Sequence, residues 1–284
     1  MVYLKSFRLL NENQEESCLD IRNIHNNHYP LGIFSPKKFE DIHFEPITIF
    51  YGGNGSGKTT LLNIIGNKIN ASRKTTIEKG TFFDNYVRIC KFDMSYEEPE
   101  EIKFISSDDI FDYLLDIRAI NANVNRRKNT LSKEWLERKY NTDNFGIIDH
   151  ELIKDSYDAK HKTMSAYIRG RLMNNNIIEQ SNGESALMFW EQDIKENGIY
   201  ILDEPENSLS AENQLKLKSF IEDSARFYNC QFIISTHSPF LLNLNEALIY
   251  DLDEVPVKTK KWHELENVRI YYNFFKDNKK DFED

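Results

Sequence analysis

The chain has 284 residues, enough for one large α/β domain or two small ones, and its 19 Phe and 14 Tyr promise a sizeable core. A formal net charge of −10 argues against a generally basic nucleic-acid-binding surface, while leaving room for a local basic groove. The three cysteines, Cys18, Cys90 and Cys230, are odd in number and far apart, so they suggest neither a disulfide framework nor a zinc site and read as free thiols in a reducing cytosol.

No window approaches the ~18 consecutive apolar residues that span a membrane. The start, MVYLKSFRLLNEN, turns polar too quickly for a signal peptide and reads as a first strand. A cytoplasmic location is expected. The next segment, FEPITIFYGGNGSGKTTLLNIIGNKI, reads as a strand over 47–51, a glycine-rich turn and a helix. NYVRICKFDM and EIKFISS read as strands. From residue 108 through to residue 175 the pattern turns helical. Ile110, Leu114, Leu115 and the 117–119 segment are expected on a buried face, as are Ile168, Leu172 and Met173. Apolar strands return in GIYILDE, CQFIIST and ALIYDLD, with a helix between the first two that carries Leu217, Phe220 and Ile221 on one face. The tail after residue 258 reads as an amphipathic helix with Trp262, Val268, Tyr271 and Phe275, either packed on the core or kept for a partner.

This layout predicts an α/β fold with a mixed sheet and an inserted helical subdomain. It is one domain over 1–284: an N-terminal core over 1–106, a helical insertion over 107–180, a C-terminal core lobe over 181–255 and a helical tail over 256–284. The insertion carries no sustained heptads, so long coiled-coil arms are not expected.

Three motifs carry chemistry. Gly52-Gly53-Asn54-Gly55-Ser56-Gly57-Lys58-Thr59 satisfies G-x-x-x-x-G-K-[ST] in full. Glycines let successive backbone N–H groups turn toward one anion, and the following helix aims its positive end at the same point. Gly52, Asn54, Gly55, Ser56, Gly57 and Thr60 would line a nucleotide's phosphates. Lys58 would reach the β- and γ-phosphates, and the Thr59 hydroxyl would sit on Mg²⁺. Second, IYILDEPE ends an apolar strand at Asp203 and Glu204. Beside the phosphate-loop strand, Asp203 would hold Mg²⁺ and Glu204 would polarise an attacking water. Third, CQFIISTHSPF ends a strand at His237, which could donate to a γ-phosphate.

In this order the motifs resemble the ABC-type ATPase superfamily, and in wording its soluble SMC, RecF and OLD-like branch. The resemblance implies ATP and Mg²⁺ as ligands and hydrolysis of ATP. It also implies a head-to-tail homodimer and a role in DNA repair or antiphage defence, with a partner protein such as an effector or nuclease and with nucleic acid as a further candidate. Under it, Gln180-Ser181-Asn182-Gly183-Glu184 takes the place of the family signature, with Ser181 and Gly183 touching the γ-phosphate bound by the other copy. The bottom-up alternative is that Ser181 N-caps the following helix, with Glu184 completing a capping box.

The departures are specific. Asn182 stands where the signature has glycine, and Ser210 where many members have aspartate. Transporter subunits carry a glutamine near the insertion, and here Ser106, Ser107, Asp108 and Asp109 occupy that place, either near Mg²⁺ or as a helix cap. Tyr29, Phe34 and Phe39 are the candidates for an aromatic that stacks on adenine. A transporter subunit, a non-hydrolysing ATP-gated module and a nucleotide kinase remain as alternatives. The missing glutamine opposes the first, and the acidic pair with the signature-like turn opposes the last.

Overall fold

The computed structural model describes residues 1–18, 28–77, 79–140, 157–172, 182–207 and 209–282. It divides into two compact units, one of 1–112 with 186–284 and one of 113–185.

The larger unit is built on a six-stranded sheet of order β5-β6-β7-β3-β8-β9. Its strands are β3 (Ile47–Tyr51), β5 (Glu101–Ser106), β6 (Gly198–Asp203), β7 (Gln231–Ser235), β8 (Leu248–Asp251) and β9 (Lys258–Thr259). All neighbours are parallel except β8 and β9, so the sheet is mixed. Every residue of β3, β6 and β7 is buried. That explains their unbroken apolar runs, because a parallel sheet covered on both faces needs no polar alternation. Leu61, Leu62, Ile64 and Ile65 of the phosphate-loop helix Lys58–Lys68 are fully buried in the same core. Gly66 lets that helix approach the sheet: a Cβ there would stand 3.0 Å from the Phe104 ring.

A second sheet, order β2-β1-β4, is antiparallel and uses β1 (Leu4–Arg8), β2 (Asp41–His43) and β4 (Lys91–Met94). Gln231, fully buried at the start of β7, stitches it to the first. Its Oε1 accepts from the N–H groups of Tyr3 and Leu4 at 2.9 and 2.8 Å, and its Nε2 donates to the carbonyls of Leu4 and Glu45 at 2.9 and 3.3 Å.

The structure corrects three sequence expectations here. The strand expected over NYVRICKFDM is half helix: Phe83–Ile89 is helical and only Lys91–Met94 is extended. Phe83, Tyr86 and Val87 are its buried residues, an i, i+3, i+4 spacing that short apolar runs disguise. In the helix Ser107–Tyr140, Ile110 and Leu114 are buried as expected, but Leu115 and Ala119 are exposed. In the tail helix Glu266–Asp277 only Val268 is buried, next to buried Leu265. Tyr271 and Phe275, expected on the core, are 45% and 52% exposed, and Trp262 is 38% exposed.

In the smaller unit, Leu131, Trp135, Ala159 and Tyr167 form a separate core, with Ile168 partly buried against it. Leu172 and Met173 lie outside the described side chains. No described helix is long and apolar enough to cross a membrane. All three cysteines are free. Burial pushes the Cys90 thiol up to about 12 and the Cys230 thiol up to about 11, so both are inert at neutral pH.

Candidate active site

The three motifs meet at the carboxyl edge of the parallel sheet, where open α/β sheets place their ligand crevices. Strand pairing sets the alignment. Phe50 pairs with Ser235, Ser235 with Asp203, and Asp203 with Ser106. The loops that follow β3, β6 and β7 therefore emerge side by side.

The phosphate loop leaves a cavity of about 340 Å³ lined by Asn54 to Thr60, Ile33 and Glu204. Gly57 is the N-cap of the helix and no side chain caps it. The first-turn N–H groups are therefore available to an anion. Gly57 has φ +102°, and a Cβ would stand 2.9 Å from Ile33 Cγ2. Gly57→Ala is expected to weaken binding of a fluorescent ATP analogue by about tenfold or more, since strain of this kind costs about 1–3 kcal/mol. Unchanged affinity would show that the loop tolerates the side chain.

Lys58 is buried, and its ammonium donates to the carbonyls of Gly52 at 2.8 Å and Gly53 at 3.2 Å. It lies 3.7 Å from Glu204 Oε1. Asp203 is buried, and its Oδ1 accepts from the Thr59 hydroxyl at 3.2 Å and from the Ser235 hydroxyl in a very short bond. Burial pushes the Asp203 carboxyl above its usual range, and the two hydroxyls partly offset that. A hydroxyl and a carboxylate converging beside a phosphate-type loop suit Mg²⁺, which keeps waters and phosphate oxygens as its remaining ligands. Thr59 and Asp203 would hold it. Among the described residues no cluster of three His, Cys, Asp or Glu offers an all-protein metal cage.

Glu204 adopts φ +49°, a left-handed conformation rare for a residue with a side chain. Its N–H donates to the Ser235 carbonyl at 3.0 Å, and the Asn207 amide donates to its Oε2 at 3.2 Å. His237 Nδ1 is 3.6 Å from Glu204 Oε1, and the imidazole is 41% exposed. Lys58, Thr59, Asp203, Glu204 and His237 thus occupy one site.

Other expectations fall elsewhere. Ser181 lies outside the described residues, and Gly183 is described only as part of the helix Asn182–Asp193. Further along that helix Phe189 and Trp190 are buried. Of Ser106 to Asp109, Ser106 and Asp109 make a helix cap: Asp109 Oδ2 accepts from the Ser106 N–H and hydroxyl, both at 2.8 Å. Ser210 caps the helix Ala211–Phe227 by accepting from the Asn213 N–H. Phe34 and Phe39 are buried in the core, so neither is placed to stack on adenine, and Tyr29 stacks on Phe83.

Sequence reasoning missed Ile33, which borders the phosphate-loop cavity, because an aliphatic residue carries no signal there. It also missed two braces. Asp253 accepts from the Gly53 N–H at 2.7 Å, and Lys37 donates to the carbonyls of Ser56 and Leu252 at 2.6 and 2.7 Å. Arg73 stacks on Phe104 and feels the charges of Asp109 and Asp203, though burial still lowers its pKa.

A family described as AAA domain matches residues 24–279, so the chain belongs to that family. No curated protein matches it. Among solved structures, the SMC head domain from Thermotoga maritima is 12% identical, with 88% of this chain and 94% of that one covered and a TM-score of 0.35. A nucleotide-free ATP-binding cassette from an ABC transporter is also 12% identical, with 93% and 94% covered and a TM-score of 0.39. A dimeric bacterial ABC transporter cassette is 15% identical, with 78% and 88% covered and a TM-score of 0.36. At these scores the likeness adds nothing to what the chain's own motifs and sheet show. Those motifs, within this family, class the chain with the ABC-type, SMC-like ATPases.

Proposed function

We propose that the protein hydrolyses Mg-ATP and that two copies close head-to-tail around the nucleotide. The observation that carries this reading is the convergence of Lys58, Thr59, Asp203, Glu204 and His237 on one sheet edge. In this reading the loop N–H groups and Lys58 bind the phosphates; Thr59 and Asp203 would hold Mg²⁺, which would supply charge neutralisation to the phosphates. Glu204 orients a water and draws off its proton as the oxygen attacks the γ-phosphorus. The bond from that phosphorus to the ADP oxygen breaks in line. His237 donates to the γ-phosphate. Ser181 and Gly183 meet the γ-phosphate held by the other copy, so closure and hydrolysis are linked. What the cycle drives would be DNA repair or antiphage defence, with an effector or nuclease as partner, by the resemblance to SMC, RecF and OLD-like ATPases.

Phosphate release at saturating ATP, with molar mass measured with and without the nucleotide, tests the reading. Ser181→Arg is expected to leave ATP affinity within about threefold and to lower turnover by about 10²-fold, as removal of one transition-state donor does. A monomer that turns over fully with ATP bound would reject the shared site. Wild-type turnover in Ser181→Arg would reduce that segment to a helix cap.

A further inference from the structure

The turn that carries Glu204 buries a second carboxyl with no role in the scheme above. Glu206 is 6% exposed. Its Oε1 accepts three hydrogen bonds from the loop after β7: from the Thr236 hydroxyl at 2.7 Å, the His237 N–H at 3.1 Å and the Ser238 N–H at 3.2 Å. Its Oε2 is buried and has no hydrogen-bond partner among the described residues. A buried side chain bonded through one oxygen only is costly unless the donors on that oxygen need an acceptor held at that point.

The geometry supplies the need. Glu206 belongs to the tight turn of the catalytic carboxylate, in which the Asn207 N–H donates to the Glu204 carbonyl and the Leu209 N–H donates to the Glu206 carbonyl. Its side chain reaches across to the neighbouring loop and takes the backbone N–H of His237. The carbonyl of His237 is held from the other side: Asn267 Nδ2 donates to it at 2.9 Å, while the Asn267 N–H donates to the Tyr51 hydroxyl at 3.1 Å. Tyr51 is the last residue of β3, the strand that enters the phosphate loop. The backbone of His237 is thus clamped on its amide by the Glu204 turn and on its carbonyl by the C-terminal helix. Its imidazole stays half exposed beside Glu204.

We propose that Glu206 is a positioning residue that locks the His237 loop in register with Glu204, with Asn267 as the second jaw of the clamp. The proposal rests on the ATPase reading for its catalytic meaning. Glu206 touches no substrate and acts only through the backbone of residues 236–238. An uncharged acceptor of the same shape serves as well, so Glu206→Gln keeps the clamp and Glu206→Ala opens it.

Steady-state phosphate release and amide hydrogen exchange of the 236–242 segment test this on the full chain. Glu206→Ala is expected to lower kcat about tenfold or more, with KM and ATP affinity within about twofold. Glu206→Gln is expected to stay within about threefold of wild type on all counts. In a His237→Ala background, Glu206→Ala should add less than about twofold, because the two share one path. Exchange at His237 and Ser238 should rise about tenfold in Glu206→Ala and not in Glu206→Gln. If Glu206→Ala does not fold, Asn267→Ala carries the test, with the same fall in kcat at constant KM. An unchanged kcat in folded Glu206→Ala, additive losses with His237→Ala, or a Glu206→Gln as slow as Glu206→Ala would each overturn the proposal. Absence of phosphate release by the wild type would sink the ATPase reading and the catalytic role with it, and the exchange data would still decide whether the clamp exists.

Discussion

Glu204→Gln is expected to lower phosphate release by about 10²- to 10⁴-fold, the usual worth of a positioned general base. ATP affinity should hold or rise. Glu204 Oε1 lies 3.7 Å from the Lys58 ammonium and 3.6 Å from His237 Nδ1. Its Oε2 is held by Asn207. Glutamine keeps that last contact through its carbonyl oxygen and removes one negative charge beside the phosphates. What it cannot do is draw a proton from water. The bound state should therefore accumulate, and light scattering in ATP should report twice the mass of the nucleotide-free chain. Turnover within about tenfold of wild type would move the base elsewhere. An unchanged mass with ATP bound would leave the site intact and remove the dimer.

Gln231→Leu is expected to cost about 3–5 kcal/mol of folding free energy, read from the urea midpoint. Leucine matches the volume and suits a buried strand. The penalty comes from the partners: the N–H groups of Tyr3 and Leu4 and the carbonyls of Leu4 and Glu45 lose the amide that joins them. Each buried polar group left without a partner costs about 1–3 kcal/mol. The two sheets are tied at this point, so the N-terminal strand should also open first in hydrogen exchange. A loss under about 1 kcal/mol would mean that water replaces the amide.

Both predictions concern polar side chains whose worth depends on what surrounds them, and that is where sequence reading divides. The phosphate loop was legible because its chemistry is contiguous. The residues from Gly52 to Thr59 carry the anion cradle in their own backbone, with a strand before and a helix after. Strands β3, β6 and β7 were legible because burial on both faces writes an unbroken apolar run. The helix Phe83–Ile89 was not, since seven residues give too little length to separate a period of 3.6 from a strand. The aromatic candidates for adenine failed for a related reason. A phenylalanine in a loop reads the same whether it faces a ligand or, like Phe34 and Phe39, fills the core.

By itself the sequence determined a phosphate-loop motif, an acidic strand end and a histidine strand end, and the order in which they occur, because each is local backbone chemistry. Only the tertiary structure decided that β7 stands between β3 and β6, so that Thr59 meets Asp203 across 144 residues of chain. It alone revealed Gln231 as the stitch between sheets, Asp253 and Lys37 as braces of the loop, and Glu206 with Asn267 on the backbone of His237. The physical reason is common to all of them. A buried polar side chain is tolerated only where distant backbone groups complete its hydrogen bonds, and those partners are set by strand register rather than by neighbours in sequence.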